Sequence, residues 1–108
     1  MAYTTITDPS VYFHTQLYTG TGSTRSVTND GNANLQPDWL WIKRRSATNA
    51  SMIVNSSLGL SGNIAVASDL NLAAYATPVS ALNSDGFSVN AGDASVNSNG
   101  STYVAWQW

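Results

Sequence analysis

The side chains able to do acid–base, thiol or metal chemistry are few: one histidine, six aspartates, no glutamate and no cysteine. Without Cys there is no disulfide, no thiolate zinc site and no Cys nucleophile. His14 would need an activated serine beside it, and no Gly-x-Ser-x-Gly elbow occurs. It lies within a strand pattern on the more polar face, which gives it a structural or surface role. Asp8, Asp30, Asp38, Asp69, Asp85 and Asp93 stand apart in the sequence. Calcium wants six to eight oxygens gathered in one loop. Asn83-Ser84-Asp85-Gly86 looks like part of such a loop, but it lacks the alternating acids and the later Glu, so it reads as a turn. Nothing positive supports a glycosidase pair of carboxylates. The expectation is a protein that is not an enzyme, with no catalytic residue, no cofactor and no metal.

The remaining candidates are contact residues. Lys43-Arg44-Arg45 is the one basic run, and neighbouring residues on a strand alternate faces. That is a weak footprint for nucleic acid, which needs several charges on one face, so no nucleic-acid partner is expected. The run reads as a solvated strand end, or as a set of partners for acidic groups on a neighbouring subunit. Trp39 and Trp41 share one face at i, i+2, as do Trp106 and Trp108. Such rings can fill a small β core or form a sugar-binding platform. The core is the preferred reading for Trp39 and Trp106. Trp108, at the end of the sequence, is the aromatic best placed for a partner.

These residues must be carried by one small domain, as 108 residues imply. Charged residues are only 9%, while Ser, Thr, Asn and Gly supply 45 of the 108. Disorder is excluded by the four Trp, five Tyr and two Phe, because disordered chains combine high charge with few aromatics. A surface so poor in charge repels other copies little and suits a protein packed against something. The N-terminus has neither a basic nor an apolar signal region, and no apolar run approaches the ~20 residues of a membrane helix. Synthesis in a host cytoplasm and no membrane partner are expected. The three Asn-x-Ser sequons, at Asn49, Asn55 and Asn99, are then chance matches.

The pattern is β throughout. Residues 1–10 read as an N-terminal arm ending at Asp8-Pro9-Ser10, and residues 11–108 as a single domain. Val11, Phe13, Thr15 and Leu17 alternate with Tyr12, His14, Gln16 and Tyr18, predicting a strand whose apolar inner face is the first set. Thr24–Thr28 is a short polar strand. Trp39–Lys43 is apolar on both faces near its start, predicting a central strand covered on both sides. Ser51–Val54 is its partner. Residues 56–76 read as a long loop with brief extended pieces, or a short helix over Ala65–Ala76; the loop is preferred. Asn83-Ser84-Asp85-Gly86 and Asn97-Ser98-Asn99-Gly100 are near copies, and both carry type I′ hairpin chemistry. Phe87–Asn90 and Ser101–Trp108 follow as strands, with Thr102, Val104, Trp106 and Trp108 on one face of the last. The fold class is all-β: an antiparallel β-sandwich, jelly-roll-like, with hairpin turns and one long loop or short helix.

Several blocks occur in a recognisable order: Tyr12-Phe13, Leu17–Gly22, Gln36-Pro37-Asp38-Trp39-Leu40-Trp41-Ile42-Lys43-Arg44-Arg45-Ser46, Ser84–Val89 and Tyr103–Trp108. Together they resemble a β-rich domain in virion structural proteins of tailed bacteriophages and their prophages, capsid-associated or tail-fibre-like. Relatives carry an Asp and an Arg-Gly after the strand matching Met52–Val54; this chain has Asn55-Ser56-Ser57-Leu58-Gly59, so any pair built on them is lost. Relatives also often continue beyond the final aromatic strand, whereas this sequence ends at Trp108, which tilts the expectation from a fibre tip to the head. The resemblance implies a virion structural role. The expected function is that of a capsid decoration, or cement, protein on the outside of a phage head. Its expected partners are the major capsid protein and itself, as a homo-oligomer such as a trimer. The alternative is a receptor- or glycan-binding module of a tail fibre. The expected contact residues are Tyr3 and Ile6 of the arm, Lys43, Arg44, Arg45 and Trp108.

Overall fold

A computed structural model describes residues 5–60, 64–66, 72–74 and 77–108. Among the described residues, the 3-10 turn Pro9–Val11 precedes nine strands: β1 His14–Thr19, β2 Arg25–Thr28, β3 Trp39–Arg44, β4 Ser51–Asn55, β5 Ile64–Val66, β6 Leu72–Ala74, β7 Val79–Asn83, β8 Gly86–Val89 and β9 Thr102–Gln107. The larger sheet has the order β1-β9-β3-β4-β5-β6 and the smaller β2-β8-β7. Every pairing is antiparallel. The two sheets pack as a sandwich, as the all-β reading expects.

Local chemistry explains the ends of several elements. Asp8 caps the 3-10 turn: its carboxylate accepts from the Ser10 amide at 3.0 Å, and proline opens the turn. Residue 10 is also tied to the body of the domain, because the Ala33 amide donates to Ser10 Oγ at 3.0 Å. The Asn83–Gly86 turn joins β7 to β8 as a hairpin, with Asn83 opposite Gly86, but not as the expected type I′ turn: the central residues are Ser84 and Asp85, and neither has positive φ. Gly86 has φ +124°, and a Cβ there would collide with the Val27 carbonyl, so glycine is required on two grounds.

Its near copy does not make a hairpin. β8 lies in the smaller sheet and β9 in the larger, so residues 90–101 cross from one to the other. Gly100 keeps the positive φ of a turn former, at +75°. Asn97, fully buried, acts as a staple. Its amide donates to Ser23 O at 2.6 Å and Asn90 O at 2.9 Å, and its Oδ1 accepts from the Thr21 amide at 2.9 Å. The two turns share a sequence but not a role, because the next strand joins a different sheet.

The core lies between the sheets. From the larger come Tyr18, Leu40, Ile42, Met52, Val54, Tyr103 and Ala105; from the smaller, Val27, Val79, Phe87 and Val89; Val96 enters from the crossing segment. Tyr18 stacks on Tyr103 (centroids 5.1 Å) and meets the edge of Phe87 (5.7 Å). Each such fully buried apolar side chain contributes about 1.5–3 kcal/mol by leaving water.

Two expectations are overturned. In β1 the inward residues are Gln16 and Tyr18, not the apolar set: Leu17 is 55% exposed and Phe13 39%. Polar atoms on this inner face find partners. Tyr18 donates to Val96 O at 2.8 Å, and Gln16 Oε1 accepts from the Asp30 amide at 2.9 Å. The phenol is also amphipathic, so its ring joins the core while its hydroxyl is satisfied. In β3, Leu40 and Ile42 face the smaller sheet, while Trp39 on the opposite face is 39% exposed. The strand is central but is covered by a sheet on one side only. Within residues 56–76 the structure describes two short strands, Ile64–Val66 and Leu72–Ala74, which occupy part of the stretch offered as a helix; residues 61–63, 67–71 and 75–76 of that region lie outside the described residues. The strand Val79–Asn83 has no strong alternation and is legible only as the obligatory partner before the Asn83–Gly86 turn.

Candidate functional site

The outer face of the larger sheet is built in transverse rows, because residues opposite each other in an antiparallel sheet point the same way. Trp39 and Trp108 exchange backbone hydrogen bonds at 3.1 and 2.9 Å. Phe13 lies one residue before His14, which faces Gln107, so it continues this row across β1. The first row is therefore Phe13, Trp108, Trp39 and, opposite Trp39, Asn55. Its rings touch in series: Phe13 to Trp108 at 5.0 Å, and Trp108 to Trp39 at 4.9 Å in a stacked pair. The second row is Thr15, Trp106, Trp41 and Ile53. Trp41 and Trp106 meet edge to face at 5.4 Å. The third is Leu17, Val104 and Lys43. The fourth is Thr19 and Thr102, with Arg45, whose amide donates to Thr102 O at 2.8 Å.

This face is half in water. Trp39, Trp108, Phe13 and Leu17 are 39–55% exposed, whereas the residues on the inner face of the same strands are almost wholly buried. All four Trp lie on it. The preference for Trp39 and Trp106 as core is corrected: both occupy the outer face, Trp106 half-buried and Trp39 exposed. The cause is parity. Tyr103, Ala105 and Gln107 alternate with Trp106 and Trp108, and it is the former set that meets the smaller sheet. Gln107, wholly buried, donates through Nε2 to Asn29 Oδ1 at 2.7 Å. The Trp41 indole nitrogen is buried without a hydrogen-bond partner.

The face is also polar along its length. Lys43 and Arg45 stand at the end away from the rings. Lys43 Nζ donates to Asn49 O at 2.8 Å, and Arg45 is exposed. Arg44 points to the other side, where it donates to Ser101 Oγ at 2.7 Å. Among the described residues none of the three has a carboxylate within ion-pair distance; the one such pair is His14 with Asp30, at 3.0 Å. Asp38, of the opposite parity to Trp39, pairs with Ser56 instead, accepting from its Oγ at 3.0 Å.

The structure thus brings Trp108, Lys43 and Arg45 onto one surface and turns Arg44 away from it. Ile6 is exposed, and Tyr3 lies outside the described residues. Phe13, Leu17 and Trp39 belong to the surface but are missed by a reading that sends apolar alternation inward. The available signal was a conflict: β1, β3 and β9 carry large side chains on both parities, and one smaller sheet can cover only one of them. His14 is at the start of β1, with Nε2 at 3.0 Å from both Gln16 Oε1 and Asp30 Oδ1, an arrangement that fixes the sheet edge. Tyr18 is held protonated: burial pushes its phenol up, the neighbouring Tyr103 adds to this, and the Arg25 guanidinium opposes it. No cluster of three His or Asp side chains able to hold a metal ion occurs among the described residues.

Residues 8–108 match the family described as "Domain of unknown function (DUF7483)", and the chain belongs to that family. No curated protein and no solved structure shows significant similarity to it.

Proposed function

We propose that this domain is a virion structural protein, a decoration protein bound to the outside of a phage head, working entirely through protein–protein contact. The observation that carries the contact role is the open row Phe13–Trp108–Trp39 with Leu17 on the same sheet face. Large exposed apolar patches on a small domain mark interaction sites, and aromatic side chains anchor interfaces. The virion setting rests on the sequence resemblance in the blocks around Trp39, Phe87 and Trp106.

The test is loading onto decoration-free heads. Wild-type protein should bind at a stoichiometry fixed by the head lattice. Trp39→Ser combined with Trp108→Ser should load at least about tenfold more weakly, a loss of ~1.4 kcal/mol. Equal loading of the two proteins overturns the contact face, and no loading of either overturns the decoration role.

One observation favours a second reading, a glycan-binding module. The stacked Trp39–Trp108 pair offers an exposed aromatic surface bordered by Asn55. Under that reading, polysaccharide changes tryptophan fluorescence in the wild type and not in the double variant, while heads are not bound.

A further inference from the structure

We infer that the occupant of the outer face is a second copy of this chain, related by a two-fold axis that runs across the strands so that the two larger sheets pack face to face and antiparallel. The inference rests on reading the face as a protein interface. It adds the identity of the partner and the register.

The first argument is charge. The face carries Lys43 and Arg45 at one end, neither with a carboxylate within ion-pair distance, and electron-rich rings at the other. A two-fold axis along the strands would set each cationic end against itself, which costs like-charge repulsion. An axis across the strands reverses the order of rows and sets opposite ends together. Arg45 of the second copy then lies over Trp39, and Thr102 over Trp108. In the middle, Lys43, Val104 and Leu17 of one copy lie over Trp41, Trp106 and Thr15 of the other. Arginine over an indole is a favourable cation–π contact, and an isologous dimer makes it twice.

The second argument is area. Rings of about 150–250 Å² that are 39–41% exposed leave roughly 60–100 Å² each in water. With Leu17 this makes roughly 300–400 Å² of apolar surface, comparable to the largest patch on a typical monomer. The four rows span about 20 Å along strands that lie roughly 4.8 Å apart. The part-exposed Thr15, Thr19, Lys43 and Arg45 of the same rows bring the face towards the ~800 Å² per partner of a standard interface. An interface of this size with two cation–π contacts fits micromolar pairing in solution, strengthened when copies are held close on a lattice.

The experiment is sedimentation equilibrium of the purified full chain from micromolar to millimolar concentration, with unfolding midpoints showing that each variant is folded. Wild type should reach dimer and go no further. Leu17→Lys should be monomeric throughout. Arg45→Glu should weaken the dimer about tenfold or more. A wild type that stays monomeric overturns the inference, as does a trimer. A dimer indifferent to Leu17→Lys overturns it too, and so does one indifferent to Arg45→Glu. A monomer that still loads heads would overturn the dimer alone. A dimer with all the expected variant effects that loads no head would overturn the decoration role and leave the dimer standing.

Discussion

The two faces of the larger sheet are made from the same strands and almost the same alphabet, yet they have opposite fates. On the inner face Leu40, Ile42, Met52 and Tyr103 are wholly removed from water; on the outer, Trp39, Trp108 and Leu17 stay 39–55% exposed. Hydrophobicity does not separate them: the outer face holds all four Trp, and the inner face holds Gln16 and Gln107. What separates them is that the inner side chains are covered by the smaller sheet and most of their polar atoms find partners there or in the adjoining segments, Tyr18 on Val96 O and Gln107 Nε2 on Asn29, while Gln107 Oε1 is left without one. A buried polar group is tolerated when hydrogen-bonded and costly otherwise. The outer face is the one left half in water.

The sharpest contrast between the faces is expected from paired leucine substitutions. Leu40→Ala should destabilise the fold by about 2–5 kcal/mol in urea denaturation, through lost burial and the cavity left behind. Leu17→Ala, one sheet face away, should cost under about 1 kcal/mol in the monomer. Similar losses at the two positions would break the distinction between the faces.

Tyr18→Phe should have an intermediate effect, roughly 1–3 kcal/mol, because it leaves the buried Val96 carbonyl without a donor. The same residue predicts a pH dependence. The phenol ionises near pH ~10 in the unfolded chain and is raised above that in the fold, first by burial. The native state therefore holds the proton longer. This contribution to stability is complete below pH ~10 and is lost as pH rises towards the folded value, by up to about 1.4 kcal/mol per pH unit. Urea midpoints measured across the alkaline range should fall less steeply for Tyr18→Phe than for the wild type.

The smallest effect on stability is expected at the N-terminus. Removal of residues 1–7 spares the Asp8 cap and the Ser10–Ala33 contact. The unfolding midpoint should stay within about 0.5 kcal/mol of the wild type. Head loading should be lost if Tyr3 and Ile6 hold the capsid, and unchanged loading would assign that contact elsewhere.

Much of the architecture was legible in the residues. The Asn83–Gly86 turn announced a hairpin because Gly86 meets a conformational requirement that is local. The strands around Trp39 and Trp106 were legible because β-branched and aromatic residues in runs bounded by turn formers suit little else. The absence of Cys and Glu removes thiol chemistry and paired Glu sites on composition alone. The contact residues were legible in part: Trp108, Lys43 and Arg45 share a surface, whereas Arg44 turns to Ser101, Phe13 and Leu17 were sent inward, and Trp39 was assigned to the core in preference to a platform.

The sequence by itself therefore determined the class of structure, the strands at Trp39–Arg44, Ser51–Asn55, Gly86–Val89 and Thr102–Gln107, and the first of the two near-identical turns as a hairpin, since each depends on neighbours within a few residues. Tertiary structure alone decided which face of β1, β3 and β9 became the core, and that Asn97–Gly100 bridges two sheets rather than closing a hairpin. The physical reason is that a strand's period of two offers two equivalent faces. Choosing between them depends on where the smaller sheet lies and which polar side chains find partners beneath it, and both conditions are set by residues distant in the chain.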